Sequence, residues 1–200
     1  MLTTMSDLPA GFADKVFDAQ STFRAVMEAM ARPGSVQRVT ADVAAPPGLM
    51  RGAAAITLTL FDHDTPIWLD PQLAAVAAWL KFHTGAPVVA DPATSSFALV
   101  ADGAALPDLE CFALGDNEYP DRSTTLILQV GSLTQGPDYE LRGPGIDGTT
   151  TLRASVSPAD LFEQLAINAR LFPRGIDLLL VHDDAMVAIP RTTRLAARGG

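Results

Sequence analysis

Cysteine and lysine are scarce in this sequence, and each shortage excludes a kind of chemistry. Cys111 is the single cysteine, so no internal disulfide can form, which is typical of a reducing cytoplasm. Its surroundings, LECFAL, are apolar, and we expect a small buried side chain rather than a nucleophile. A Schiff-base enzyme needs a lysine desolvated in a pocket, and of Lys15 and Lys81 only the second is a candidate for that role.

Long apolar runs and an excess of positive charge are absent as well. The longest apolar stretches, such as TTLILQV and GIDLLLV, fall far short of the ~20 residues that span a bilayer. The N-terminus has no basic segment followed by an apolar one, so no signal peptide is predicted. A net charge of −9 disfavours nucleic-acid binding, because that affinity comes from cations on phosphate. We therefore expect a cytoplasmic protein with neither a nucleic-acid nor a membrane partner.

Hydrophobic spacing predicts that helices and strands alternate in the first half of the chain. The predicted elements there are helices over 13–31, 47–61 and 73–83 and strands over 35–40, 65–70, 86–90 and 96–101. The second half holds a short helix within 106–114, strands at 124–130 and 139–143, a helix at 157–172 and a closing hairpin of 176–181 with 185–190. These elements predict a single α/β domain over 1–200, a three-layer α/β/α sandwich around a mixed sheet, with 1–12 as a loosely ordered N-terminal segment.

Three local patterns sharpen this prediction. In the first helix, Val16, Phe23 and Met27 share one apolar face with Met30, and Gln20 is the polar exception. The helix at 157–172 is expected to start with Ser157 as its N-cap, followed by Pro158 in the first turn. The stretch TTLILQV is apolar on both sides, as in a central strand that is buried on both faces.

Neither a complete catalytic motif nor a complete metal-binding motif is present in the sequence. His63 stands between two aspartates, but three adjacent residues cannot all reach one ion, and a solvated turn is the simpler interpretation. His182 is interpreted in the same way, as the tip of the closing hairpin. The stretch RGPGIDG at 142–148 lacks the spacing of a phosphate loop and predicts a wide turn. A GxSxG motif is absent too, so we predict no catalytic residue, no metal ligand and no cofactor.

The polar end of the closing hairpin is the best candidate for a binding site. Arginine supplies 12 of the 14 basic residues, and its planar fork suits phosphates and carboxylates. Thr192 and Thr193 could add hydroxyl donors to Arg191, with Arg174 nearby in sequence. The alternatives are that the threonines start a turn and that Arg191 forms a salt bridge within the fold or across an interface. His83, where a helix gives way to Gly85, is a second candidate for ligand or partner contact.

Several stretches of the sequence resemble one family when they are taken together. They are FDAQSTFRAVMEAMARPG, FHTGAPVV, TTLILQV, LRGPGI and FPRGIDLLLVHDDAMVAIPRTT, and they run from about residue 17 to 193. On these stretches the sequence resembles the H subunit of the carbon–phosphorus lyase system, the PhnH family. No single motif is diagnostic, and the region 101–122 matches less well.

This resemblance implies a role in bacterial phosphonate breakdown. It implies a subunit that assembles with the G, I and J subunits and acts with the L protein, in the step where a phosphonate displaces adenine from ATP. It also implies a fold like the large domain of pyridoxal-phosphate-dependent transferases with the cofactor lost, and a homodimer in isolation. The nucleosidase-type chemistry is placed on the I subunit and the radical cleavage on J, so an accessory role is expected here. Two alternatives stay open: a stand-alone binder of a phosphate or phosphonate ligand, and a pure scaffold for partner subunits.

Overall fold

A computed structural model describes residues 8–197 of the chain. Its helices are α1 (Lys15–Ala31), α2 (Arg51–Leu60), α3 (Ala77–Thr84) and α4 (Leu161–Asn168). Its strands are β1 (Gly11–Phe12), β2 (Gln37–Arg38), β3 (Val43–Ala44), β4 (Ile67–Leu69), β5 (Val88–Val89), β6 (Phe97–Val100), β7 (Thr125–Gln129), β8 (Asp138–Arg142), β9 (Thr150–Arg153), β10 (Asp177–His182), β11 (Ala185–Ile189) and β12 (Arg194–Ala197). Short 3₁₀ turns lie at Pro71–Val76, Pro92–Thr94, Leu109–Cys111 and Ala169–Leu171.

A seven-stranded mixed sheet forms the centre, in the order β2-β11-β10-β7-β6-β4-β5. The strands from β10 to β5 run parallel, whereas β11 and β2 are antiparallel to their neighbours. The predicted closing hairpin is confirmed as β10 and β11, with Leu178 opposite Ile189. The α/β class and the mixed sheet are therefore confirmed.

The central strands are buried on both faces. Ile127, Leu179 and Val181 belong to one apolar cluster, and Leu126 and Leu178 belong to another on the opposite side of the sheet. This alternation follows from the period of two in a strand. It confirms that TTLILQV is a central strand, and each fully buried leucine or isoleucine contributes roughly 1.5–3 kcal/mol.

Helices α1, α2 and α3 cover one face of the sheet. The alanines of α2, Ala53 to Ala55, are 0% exposed, which lets this helix approach its neighbours closely. The segment 73–83 is helical as predicted, but it begins as a 3₁₀ turn before α3. Asp70 starts that turn, where its fully buried carboxylate accepts hydrogen bonds from the backbone N–H groups of Gln72 and Ala101.

The other face is covered by α4 together with a small antiparallel sheet, in the order β12-β8-β9. Leu161, Phe162 and Leu165 of α4 pack into the second cluster, and Tyr139 of β8 stacks on Phe162 with ring centroids 3.7 Å apart. Strands β9 and β12 were not predicted, so this layer differs from the purely helical layer that was expected. Both strands expose polar side chains, and neither shows the apolar run that marks a strand.

Two helices differ in detail from the sequence prediction. The apolar face of α1 with Val16, Phe23 and Met27 is not the buried face, since these side chains are 62%, 49% and 53% exposed. Thr22, Val26 and Ala29 are buried instead. Helix α4 begins at Leu161, so the expectation of Ser157 as its N-cap is wrong.

Ser157 is separated from α4 by a turn, in which the Leu161 N–H donates to the Pro158 carbonyl at 3.1 Å, so Ser157 is not adjacent to the first turn of the helix and cannot cap it. The Ser157 carbonyl packs so closely against Gly103 that a Cβ atom at residue 103 would overlap it. Asp160 occupies the cap position instead, without a side-chain capping hydrogen bond.

The chain start and the glycine-rich turn both dock on the helical layer. Residues 1–12 were expected to be loosely ordered, and residues 1–7 of that segment lie outside the described residues. Within the described part, Gly11 and Phe12 form β1 and pair with β3. RGPGIDG forms the turn between β8 and β9, as predicted. Gly145 has a φ of +82° there, and a Cβ atom would collide with the Ala31 carbonyl oxygen, so glycine is required.

Candidate functional site

The stretch IPRTT connects the two sheets. Strand β11 ends at Ile189, so the prediction that Ile-Pro closes the last strand of the large sheet is confirmed. The backbone N–H of Thr193 donates to the Pro190 carbonyl at 2.8 Å, which closes a turn. The chain then continues as β12, which pairs with β8 in the small sheet. The polar residues after the proline thus begin with a turn between two strands.

Arg191 is held inside the fold by an ion pair. Its guanidinium contacts Asp177 through Nε at 3.2 Å and through Nη2 at 2.5 Å, and both side chains are only 14% exposed. The same guanidinium donates to the Pro120 carbonyl at 2.6 Å and to the Ser123 hydroxyl. The backbone N–H of Arg191 also donates to Asp177 at 2.8 Å. Of the interpretations left open by the sequence, the geometry supports a salt bridge within the fold.

The two threonines have different settings. Thr192 lines a cavity of about 450 Å³. Thr193 is 1% exposed, and its hydroxyl has no hydrogen-bond partner within residues 8–197. A buried hydroxyl without a partner is destabilising, because it loses its hydrogen bonds to water. Of the two threonines, Thr192 is therefore the one that lies beside an open cavity.

Arg174 and His83 are not brought together with Arg191. Arg174 is exposed in the turn before β10, and its guanidinium has no partner in the part of the chain that the structure describes. His83 contacts the Pro9 carbonyl through Nε2 at 2.9 Å and packs on Trp79. The helix that carries His83 leads into β5, whereas IPRTT follows β11. In the large sheet these two strands are five positions apart, which corresponds to roughly 24 Å because neighbouring strands are about 4.8 Å apart. His83 thus anchors the chain start, far from IPRTT.

Three arginines that were not among the predicted site residues line the Thr192 cavity or the cavity beside it. Arg170 and Arg194 line a cavity of about 340 Å³. Arg194 also lines the Thr192 cavity, together with Arg142 and Phe172. Ala169 and Arg194 are shared by both cavities, so the two adjoin. We call this site the arginine groove and define it by Arg142, Arg170, Phe172, Thr192 and Arg194.

Most arginines elsewhere in the structure have partners. Arg32, Arg38 and Arg153, for example, form ion pairs with carboxylates, and Arg122 stacks on Tyr119. Within residues 8–197, the arginines whose side chains have no hydrogen bond, ion pair or ring contact are Arg24, Arg170, Arg174 and Arg194. Two of these four lie in the arginine groove. The sequence could not indicate the groove, because its geometry depends on the unpredicted strand β12.

The remaining candidates have structural roles or exposed positions. His63 is exposed beside Asp64, as expected for a turn residue. His182 is instead the last residue of β10, where it is partly buried and its Nδ1 contacts the Val130 carbonyl at 3.0 Å, so the expectation of a solvated turn is wrong for this histidine. Cys111 is exposed, so the prediction of a buried side chain is wrong: it ends a short 3₁₀ turn whose buried member is Leu109. A cavity of about 460 Å³ lies beside α4, but Gln164 and Asn168 in its wall are engaged in hydrogen bonds within the protein.

The described residues show neither a metal-binding cluster nor a membrane-spanning helix. Within 8–197, no three histidine, cysteine or acidic side chains converge as metal ligands do. Over the same range, none of the helices has both the length and the apolar character needed to cross a bilayer.

Comparison with known proteins identifies the family. The model of the family described as "Bacterial phosphonate metabolism protein (PhnH)" matches residues 10–196. The chain belongs to the PhnH family. A family relative in Rhizobium meliloti (strain 1021), named "Alpha-D-ribose 1-methylphosphonate 5-triphosphate synthase subunit PhnH", is 44% identical over 197 residues, which cover 97% of this chain and 98% of that protein. A proposed C-P lyase subunit of Stutzerimonas stutzeri, HtxG, is 31% identical over 202 residues, 98% of this chain and 97% of that protein.

Proposed function

We propose that this chain is a subunit of α-D-ribose 1-methylphosphonate 5-triphosphate synthase, which acts in the carbon–phosphorus lyase pathway of phosphonate catabolism. The observation that carries this proposal is the 44% identity to a protein of that name over nearly the full length of both chains. The partners we propose are the G, I and J subunits, with the L protein for activity, in the cytoplasm.

We further propose that the subunit is accessory rather than catalytic. The candidate residues support this, because Arg191 is engaged inside the fold and His83 holds the chain start. The two lysines are exposed on α1 and α3, which is not the desolvated setting of a Schiff-base lysine. A fold like the large domain of pyridoxal-phosphate-dependent transferases, with the cofactor lost, fits a sheet with five parallel strands flanked by helices. For IPRTT we propose that Arg191 and Thr193 shape the turn and that Thr192, with Arg174, meets a ligand or partner.

The surface that we propose for self-association is the α1 stripe, defined by Val16, Phe23 and Met27 with Phe17 beside it. These side chains are between 49% and 72% exposed, and together they present roughly 400 Å² of apolar surface. Apolar patches of that size on a soluble protein often mark contact sites. A stripe along one helix can pair with the same stripe of a second copy across a two-fold axis. The proposed occupant is therefore a second copy of this chain.

Co-purification tests the proposed assembly. The affinity-tagged chain, co-expressed with the G, I and J subunits of its own organism, is expected to elute with all three in fixed stoichiometry. As a matched control, the chain is expressed with the same tag beside an unrelated soluble protein, which should stay in the flow-through. A tagged chain that elutes alone, although folded by circular dichroism, would contradict the proposal.

A further inference from the structure

Two arginines face each other across the small sheet. In the register of β12 and β8, Arg194 lies directly opposite Arg142. Like charges in directly opposite positions destabilise a pair of strands. Arg142 is partly neutralised by Glu140, whose Oε1 lies 2.8 Å from its Nε, whereas Arg194 has no partner within residues 8–197. A chain with a net charge of −9 thus retains an unfavourable cationic pair at this position.

A third arginine, Arg170, lines a cavity together with Arg194. Arg170 belongs to the 3₁₀ turn after α4 and lines the 340 Å³ cavity with Arg194. Like Arg194, it has no side-chain partner in the described part of the chain. The adjoining cavity of about 450 Å³ adds Thr192 and Phe172 to the lining, and Phe172 is 62% exposed. Each cavity is within the size range of small-molecule sites.

The chemistry of the groove selects a ligand with several anionic groups and a flat ring. Guanidinium groups bind phosphate oxygens through paired hydrogen bonds, and three of them suit a chain of phosphates better than a single carboxylate. An exposed aromatic ring offers a stacking surface for a base. We propose that the arginine groove binds a nucleoside triphosphate, with its phosphates at Arg142, Arg170 and Arg194 and its base against Phe172. This assignment rests on the proposed function, since the relative's name includes a 5-triphosphate product.

Calorimetric titration of the isolated chain tests the assignment. ATP is expected to bind more tightly than tripolyphosphate, adenosine is expected to bind very weakly, and added salt is expected to weaken the binding of ATP. Arg194→Gln and Arg170→Gln should each raise the Kd for ATP by about tenfold or more, because each removes a charge-assisted contact. Phe172→Ala should raise the Kd for ATP about fivefold or more and leave that for tripolyphosphate unchanged.

Matched controls come from outside the groove. Arg24 is also exposed and without a partner in the described residues, so Arg24→Gln should leave the Kd unchanged. Phe17 is 72% exposed on α1, and Phe17→Ala should have no effect on ATP binding. An equal loss of affinity in Arg24→Gln and Arg194→Gln would overturn the assignment, because it would reflect overall charge. Equal affinities for ATP and tripolyphosphate would also overturn the assignment, because they would show that the base makes no contact with Phe172.

The outcome for the groove can be separated from the outcome for the proposed function. If wild type binds no ATP at millimolar concentration but co-purifies with its partners, the groove assignment is wrong and the proposed subunit role stands. If Arg194→Gln then loses the partners, the groove is a protein contact instead. If ATP binds as described but the partners do not co-purify, the groove assignment stands and the subunit proposal fails.

Discussion

The ion pair of Arg191 and Asp177 supports a quantitative prediction about stability. Both side chains are 14% exposed, and Arg191→Ala would leave the Asp177 carboxylate without its charged partner. It would also remove the hydrogen bonds to the Pro120 carbonyl and the Ser123 hydroxyl. Breaking a buried pair on one side typically costs 3–5 kcal/mol, and the slight exposure here favours the lower end, about 3 kcal/mol. For a chain of this size the unfolding midpoint should fall by about 6 to 12 °C.

Thermal and urea unfolding would measure the effect, with Arg153→Ala as the matched control. Arg153 contacts Asp138, but their side chains are 55% and 32% exposed, so little change is expected. Together with the single variants Arg191→Ala and Asp177→Asn, the double variant Arg191→Ala/Asp177→Asn forms a double-mutant cycle. The coupling free energy between the two side chains should be about 2 kcal/mol. If Arg191→Ala unfolds at the same temperature as Arg153→Ala, the pair is not structural. Arg191 would then be available to a ligand, contrary to the interpretation given above.

Three further predictions concern single side chains. Thr193→Val should leave stability unchanged or raise it by up to about 1 kcal/mol, because the buried Thr193 hydroxyl has no partner in the described residues. In the control Thr57→Val, the free energy of unfolding measured with urea should fall by about 1 kcal/mol, since the Thr57 hydroxyl donates to the Ala54 carbonyl at 2.9 Å. A larger fall in Thr193→Val than in Thr57→Val would refute the prediction. Cys111 should react with a thiol reagent in the folded protein, because it is exposed, and a reaction that requires denaturant would contradict the structure. Met27→Lys on the α1 stripe should shift sedimentation from dimer to monomer, whereas Phe82→Lys, at a comparably exposed position, should not; a dimer that persists in Met27→Lys would exclude the stripe as the contact.

Much of the central sheet could be predicted from the sequence because its strands are apolar on both sides. TTLILQV and IDLLLV are buried on both faces, so their composition alone distinguishes them from amphipathic segments. The closing hairpin was predictable for the same reason, although its turn consists of Asp183 and Asp184 and His182 still belongs to β10. The small sheet was not predictable in this way, since β9 (TTLR) and β12 (RLAA) are only four residues long, and neither alternates polar and apolar residues as a half-buried strand does.

The candidate site shows where sequence reasoning fails. Arg191 stood out because it follows a strand, but nothing in the sequence indicated that Asp177, 14 residues earlier, would be its partner. Arg142 and Arg194 became neighbours only through the pairing of β8 with β12. The face of α1 with Val16, Phe23 and Met27 looked like a core face, but the buried face uses smaller residues that leave no comparable apolar signal.

Release of adenine from ATP and methylphosphonate tests the central claim of an accessory synthase subunit most directly. The G and I subunits and the L protein would be assayed with and without this chain, and the chain would be assayed alone. We predict no adenine from the chain alone and a marked loss of adenine release when the chain is omitted from the full set. Adenine release by the chain alone, or unchanged release without it, would contradict the account.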